Sequence, residues 1–359
     1  MQFDVQPSGG MVDAEAREAS LAAPGFGRVF TDHMISARWT ELDGWHDARL
    51  EPYAPLVLDP ASAVLHYSQS AFEGLKAYRQ PDGGVALFRP ERNAQRLADS
   101  CRRLALPELP VDDFVAACEL LARTDADWVP STEGASLYLR PLMIADEVGL
   151  MVRPSASVRF LLIASPAGSY FSGPMRPISL WLTQEYVRAV VGGTGAAKCG
   201  GNYAASLVAQ REAMEHGCDQ VVFVDGVEHR WVDELAGSNI CFVLDDGTLV
   251  TPELSGAILP GVTRDSVLTL ARDSGRKVEE RRVDIDEWRD GVRSGRIAEV
   301  FACGTAAVIT PIGTLKWAGG EVTAGDGTPG PVTTELRGAL VDLQYGRAED
   351  PYGWRHPIR

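Results

Sequence analysis

The segment GGTGAAKCGG, residues 192–201, places five glycines in ten positions. A run with so few side chains has no face to bury, so it must be an irregular loop. A helix-like run follows it, beginning near Tyr203. The loop also holds Lys198, one of only four lysines among 34 basic residues; the others are Lys76, Lys277 and Lys316. Where charge alone matters, this chain uses arginine. A lysine kept among small residues is wanted for its amine, because a guanidinium does not act as a nucleophile. The glycines let a planar ligand approach closely, which points to a Schiff base between Lys198 and an aldehyde. A solvent-exposed loop lysine is the other reading of the same residues.

At 359 residues the chain exceeds one ordinary core, and two domains are expected. The apolar share of 45% against 23% charged residues is that of a soluble globular protein. No apolar run reaches the roughly 18 residues that a membrane span needs. The N-terminal MQFDVQPSGGMVDAEAREAS is polar and acidic and reads as no signal peptide, so a cytoplasmic location is expected. A net charge of −15 disfavours nucleic-acid partners. The six cysteines show neither CxxC nor zinc spacing, so free thiols and no metal site are expected.

Periodicity predicts an α+β or mixed α/β fold without regular βαβ alternation. A strand is expected in FGRVFTDHMISARW. Two more are expected around the PDGG turn within AVLHYSQSAFEGLKAYRQPDGGVALFRP. ERNAQRLADSCRRLALP carries a helical stripe of Ala94, Leu97, Cys101 and Leu104 that stops near Pro107. VDDFVAACELLARTDADWVP is a second helix, and ASLYLRPLMIAD and SVRFLLIASPAG are strands. These belong to a smaller N-terminal domain, 1–170. A Gly/Ser/Pro-rich linker over 171–183 follows, then a larger domain, 184–359, that carries Lys198. In that domain a helix over about 203–216, strands DQVVFVDG and SNICFVLDDGTLVTPEL, and a helix TRDSVLTLARDSG capped by Thr263 are expected. A further helix IDEWRDGVRSG, a strand-rich IAEVFACGTAAVITPIGTLKWA and a last helix TTELRGALVDLQYG complete it.

Pyridoxal phosphate needs an amine, an acid for its ring nitrogen, a donor for its phenolic oxygen and a phosphate cup. Tyr203 is a candidate donor or a core tyrosine. Glu234 in DELAGSN is a candidate acid or a loop carboxylate. LPGVTRDS leads into a helix N-terminus, which suits an anion or is a plain cap. CGTAAV supplies a second Gly-Thr corner.

Taken in order, FEGLKAYR, ASLYLRP, GGTGAAKCGGNYAASL, DELAGSN, LPGVTRDS and FACGTAAV resemble the branched-chain amino acid aminotransferases. These are fold-type IV pyridoxal-phosphate enzymes with two domains and the cofactor site between them. The resemblance runs from about Phe26 into the tail LQYGRAEDPYGW. It implies that Lys198 forms the Schiff base and moves the proton. Tyr203 would bond the phenolic oxygen and Glu234 the ring nitrogen. Arg96, Val262, Thr263 and Thr305 would hold the phosphate. Tyr138, Arg140, Thr305 and Ala306 would bind substrate carboxylates, with Phe26, Phe72 and Tyr170 as an aliphatic wall. Tyr67, Leu150 and Val152 would reach a neighbouring subunit's site, implying a homodimer.

The implied reaction moves an amino group from leucine, isoleucine or valine to 2-oxoglutarate, giving glutamate and branched-chain 2-oxo acids. A D-amino acid aminotransferase or an aminodeoxychorismate lyase shares the fold, and a non-catalytic pyridoxal-phosphate carrier is the alternative from another class. SLYLRP and the long N-terminal segment favour the branched-chain enzyme. Two departures stand out. Mammalian relatives carry a CxxC pair where this chain has Ala307 and Thr310, and Gly237 stands where many relatives have threonine.

Overall fold

The computed structural model describes residues 1–6, 9–168 and 175–358. The chain divides into two compact units, each containing a mixed or antiparallel sheet with helices. The first comprises the N-terminal part, up to the segment at 169–174, together with Ala197–Gly200 and the residues from Asp342 onward. The second holds the remainder through Val341. Chain position alone does not reveal that the residues around Lys198 pack with the first unit.

In the first unit the elements are β1 (Asp4–Val5), α1 (Ala14–Ala22), β2 (His33–Thr40), β3 (Gly44–Pro52), α2 (Ala63–Tyr67) and β4 (Ser70–Phe72). They continue with β5 (Leu75–Arg79), β6 (Val85–Phe88), α3 (Pro90–Arg103), α4 (Val111–Thr124), β7 (Ser136–Ala145) and β8 (Ser157–Ala167). The PDGG turn forms as expected, with Gly83 at φ +85° and the Asp82 carboxylate accepting the Gly84 N–H. Upstream of it, however, Ala63–Tyr67 is a short helix rather than strand. It ends on Ser68 in the left-handed region before β4 begins. Helix α3 buries Ala94, Leu97 and Cys101 as its stripe predicts. Those residues meet Phe114, Cys118 and Leu121 of α4 and Leu50, Leu137, Phe160 and Leu162 of the sheet in one core. Each fully buried Leu or Phe there contributes about 1.5–3 kcal/mol.

The second unit runs through β9 (Ile178–Leu182), α5 (Gly200–Glu215), β10 (Gln220–Val224), β11 (Val232–Leu235), β12 (Asn239–Leu244), β13 (Leu249–Thr251) and α6 (Val262–Asp273). Then come β14 (Val278–Glu280), α7 (Ile285–Ser294), β15 (Ile297–Gly304), β16 (Val308–Trp317), β17 (Gly320–Thr323) and α8 (Pro331–Gln344). Strand β18 (Arg355–Pro357) returns to the first unit and pairs with β6. Strand order in the first sheet is β1-β3-β2-β8-β7-β5-β6-β18, with β4 beside β7. In the second it is β11-β10-β9-β16-β15-β12-β13-β14, with β17 beside β16. Alternation along β9 and β10 sends Leu180, Leu182, Val222 and Val224 to a core shared with Trp288 of α7. Trp181, Val221 and Phe223 face Ala209 and Ala213 of α5. Both faces are covered, which explains why these strands read as continuous apolar runs.

Candidate active site

Lys198 is fixed by its backbone. Its carbonyl accepts the Phe72 N–H at 2.9 Å, and its own N–H donates to Ser100 Oγ at 2.9 Å. Ser100 Oγ in turn donates to the Arg96 carbonyl at 2.8 Å, and Ala71 forms a bridge with Cys199. The glycine-rich loop is thus stitched onto β4 and α3 at this one point. The buried neighbours Ala197 and Cys199 anchor it while the lysine remains half-buried. Further along, Asn202 clamps the loop's start: Thr194 Oγ1 donates to Asn202 Oδ1 at 2.7 Å, and Asn202 Nδ2 donates to the Thr194 carbonyl at 2.8 Å.

The Lys198 amine lies 5.0 Å from the Phe72 ring centre. Poor hydration lowers its pKa to about 8, the Arg96 and Arg140 guanidinium groups add to the drop, and Glu73 and Tyr138 oppose it. Glu73 is fully buried and pairs with Arg96 by two bonds, Nε to Oε1 at 2.7 Å and Nη2 to Oε2 at 2.9 Å. Asn93 Nδ2 and the Gly74 N–H also donate to Glu73. Burial pushes the Glu73 pKa up, but Arg96, Lys198 and Asn93 outweigh that and hold it below the ordinary carboxylate value.

Arg140 extends over the Phe72 ring at 4.8 Å and the Tyr138 ring at 5.3 Å, and its Nη2 donates to Tyr138 Oη at 3.1 Å. Its Nε is buried without a hydrogen-bond partner among the described residues. Phe26 meets Tyr138 edge to face at 5.1 Å. A Cβ at Gly74 would stand 1.9 Å from Tyr138 Oη, so only glycine leaves room for that hydroxyl. Lys198, Arg96, Tyr138, Arg140, Phe26 and Phe72 are therefore brought together in the first unit. Elsewhere in that unit Tyr67 Oη donates to the Leu150 carbonyl at 2.5 Å, and the Leu150 and Val152 side chains are exposed. Tyr170 lies outside the described residues.

The second unit gathers the other candidates. Glu234 is buried on β11. Its Oε1 accepts the Leu259 N–H at 2.8 Å and Arg188 Nη1 at 2.9 Å, and Asn239 Nδ2 donates to Oε2 at 3.0 Å. These donors, the guanidinium among them, offset the cost of burying this carboxylate. Helix α6 starts at Val262 with Gly261 as its N-cap and no side-chain cap bond. Thr263 is thus inside the first turn, not the cap expected of it. The glycine is required there, because a Cβ at Gly261 would come within 2.0 Å of Asn239 Oδ1. Uncapped first-turn amides at Val262 and Thr263 suit an anion. Tyr203, near the start of α5, has Cε1 4.0 Å from the Cβ position of Gly237. Thr305 and Ala306 form the turn between β15 and β16, and Gly304 before them packs beside Ser238 and Gly237.

The family model for class IV amino-transferases matches residues 70–315. The chain belongs to the class IV aminotransferases. It is similar to a probable branched-chain-amino-acid aminotransferase of Streptomyces coelicolor, 56% identical over 99% of this chain and 98% of that one. It is also similar to the branched-chain-amino-acid aminotransferase of Mycobacterium tuberculosis, at 54% identity over 99% and 97%. Among solved structures, the branched-chain amino acid aminotransferase from Escherichia coli has a TM-score of 0.72 at 30% identity, covering 90% of this chain and 99% of that one. The branched-chain amino acid aminotransferase from Thermobaculum terrenum, in its pyridoxal-phosphate holo-form, gives 0.70 at 26%, over 90% and 98%.

Several residues that hold the candidate side chains of this aminotransferase in place were not singled out by the sequence. Glu73, Asn93 and Ser100 fix Arg96 and Lys198, and Arg188 and Asn239 fix Glu234. Part of the signal was present. Asn93 and Arg96 stand three apart on α3 and so share a face, and an acid in FEGLK was available to meet them. Arg188 is a lone cation in VRAVVGG. Each unit carries groups that fit part of pyridoxal 5'-phosphate: the first a poorly hydrated amine of lowered pKa and a buried Arg140 Nε that no described group engages, the second a buried carboxylate held by three donors and an uncapped helix start.

Proposed function

We infer that this chain is a pyridoxal-phosphate-dependent branched-chain amino acid aminotransferase that moves the amino group of leucine, isoleucine or valine to 2-oxoglutarate. The observation that carries the reading is the Lys198 amine, lowered to about 8 beside a Phe72 ring and two guanidinium groups. Relatives at 54–56% identity over almost the whole chain support it. When bound, the cofactor supplies a carbonyl for the amino group and a ring that takes up electrons from the α-carbon.

The chain's own residues do the rest. Lys198 Nζ would hold the cofactor and, when free, would carry a proton to and from the substrate's α-carbon; its lowered pKa suits that duty near neutral pH. Arg96, held by Glu73, and the first amides of α6 would meet the phosphate. Glu234, held by Arg188, would meet the ring nitrogen, and Tyr203 the phenolic oxygen. Arg140 and Tyr138 would receive a substrate carboxylate, with Thr305 and Ala306 amides assisting. Phe26 and Phe72 form an apolar wall for a branched chain.

The homodimer belongs to the same reading. Leu150 and Val152 are 64% and 83% exposed on a segment held by Tyr67, an apolar surface suited to a second copy. Six buried free thiols agree with a reducing, cytoplasmic compartment. The test is formation of glutamate from leucine and 2-oxoglutarate by the purified protein. Glutamate in proportion to 4-methyl-2-oxopentanoate is expected. Turnover of D-alanine in place of leucine, or product formation without 2-oxoglutarate, would overturn the reading.

A further inference from the structure

A cavity of about 210 Å³ opens in the second unit, with Val190, Trp231, Pro252, Ala257 and Ile258 among its walls. Val191 and Val227 lie at its edge, 70% and 82% exposed. The Asp233 carboxyl of β11 is aimed into it. Asp233 is 7% exposed, yet among the described residues its side chain accepts no hydrogen bond and joins no ion pair. The other charged groups near it make hydrogen bonds or ion pairs, although Arg188 Nε is buried without a hydrogen-bond partner among the described residues. The Asp225 carboxylate accepts the N–H groups of Val227, Glu228, Arg230 and Trp231. Arg188 is held by Glu234 and the Ala257 carbonyl. Arg282 lies 3.5 Å from Glu253 and 3.9 Å from Glu228.

The Asp233 oxygens open to the cavity and not into the packed interior, so no described protein donor meets them there and a ligand can. We propose that this cavity is a binding site for a small organic ammonium ion, with Asp233 as its counter-charge and the apolar walls as seat for its alkyl body. The surroundings select the charge type. Asp225, Glu228 and Glu253 stand around Asp233, and the arginines there are already paired, so a cation is favoured and a zwitterion's carboxylate is repelled. Burial, with Glu234 and Asp225 close by, raises the Asp233 pKa to about 7. A bound cation favours the ionised form, so binding strengthens as pH rises through that value and releases a proton near it.

The experiment titrates the holoenzyme calorimetrically with N,N-dimethylisopropylammonium, a tertiary ion that cannot condense with a carbonyl, and with a neutral alcohol of the same size. One site per chain is expected. Affinity should rise about thirtyfold from pH 5.5 to pH 8, the ratio of ionised carboxyl at the two values. About half a proton should leave on binding at pH 7, read by changing the buffer. Asp233→Asn should bind at least roughly tenfold more weakly at pH 8 and lose the pH dependence. No saturable binding, equal binding of the alcohol, or an unchanged Asp233→Asn would overturn the site. Should that variant fail to fold, the wild-type proton count decides, and binding without proton release refutes the proposal.

Discussion

Glu73 grips Arg96 through two parallel hydrogen bonds of 2.7 and 2.9 Å, and the same carboxylate raises the basicity of Lys198. One buried acid thereby sets both the position of a guanidinium and the charge of an amine. Its replacement acts on both at once.

Glu73→Gln removes the buried carboxylate that pairs with Arg96. Removing one partner of such a pair costs about 3–5 kcal/mol, and cofactor affinity should fall with it. The folded-state pKa of Glu73 is lowered, so its contribution is present above the ordinary carboxylate value of 4.5 and is lost as pH falls through the folded value. Thermal melts of wild type against pH should show that acid limb, and the variant should show a flatter one.

Lys198 should govern the pH dependence of cofactor capture by the cofactor-free protein. The rate is expected to rise with pH and level off above about 8. Arg140→Leu removes a cation that lowers the amine's pKa, so the midpoint should move up. Lys198→Ala should lose the covalent link, the visible absorption band and nearly all turnover. A midpoint unmoved in Arg140→Leu would mean that Arg140 does not set the amine's basicity, which then rests on poor hydration, Arg96, Glu73 and Tyr138.

Arg140 also bears on substrate choice. A branched aliphatic side chain makes no bond to a guanidinium, whereas the γ-carboxylate of glutamate makes one worth about 1.5–3 kcal/mol. Arg140→Leu should therefore slow the glutamate half-reaction roughly ten- to a hundredfold more than the leucine half-reaction. Single-turnover spectra measure each separately. Equal losses would assign Arg140 to the α-carboxylate that both substrates share.

Two glycines should respond in opposite ways. Gly74→Ala drives a methyl into Tyr138 Oη, so the Tyr138–Arg140 bond must break and kcat/KM should fall for every substrate. Gly237→Ser should be tolerated, because the nearest atom to its Cβ is Tyr203 Cε1 at 4.0 Å. Loss of folding in the serine variant, read by melting temperature, would contradict that space.

Elements with strong period or turn chemistry were legible in the sequence. The α3 stripe and the PDGG and Asp-Asp-Gly hairpins came from residues that act locally. Helix α2 was missed because AVLHY is too short to show a helical period. Strand β3 was missed because GWHDARLEP mixes charge with apolar residues on a sheet whose strand faces are only partly buried. Lys198 and Glu234 announced themselves by motif. Glu73, Ser100 and Arg188 did not, since their importance comes from partners 23, 98 and 46 positions away, and only folding brings those together.

The two outermost strands of the first sheet lie far apart in the chain: β1 begins at Asp4 and β18 at Arg355. During synthesis this sheet therefore stays open along the β6 edge until Arg355–Pro357 has left the ribosome. The Lys198 segment, which pairs with β4, also arrives more than a hundred residues after that strand. The second unit is fully translated before the first can be completed. A nascent chain stalled near residue 341 would thus display the open outer edge of β6, a ready template for a neighbouring polypeptide. Arrival of the closing strand is what removes that edge.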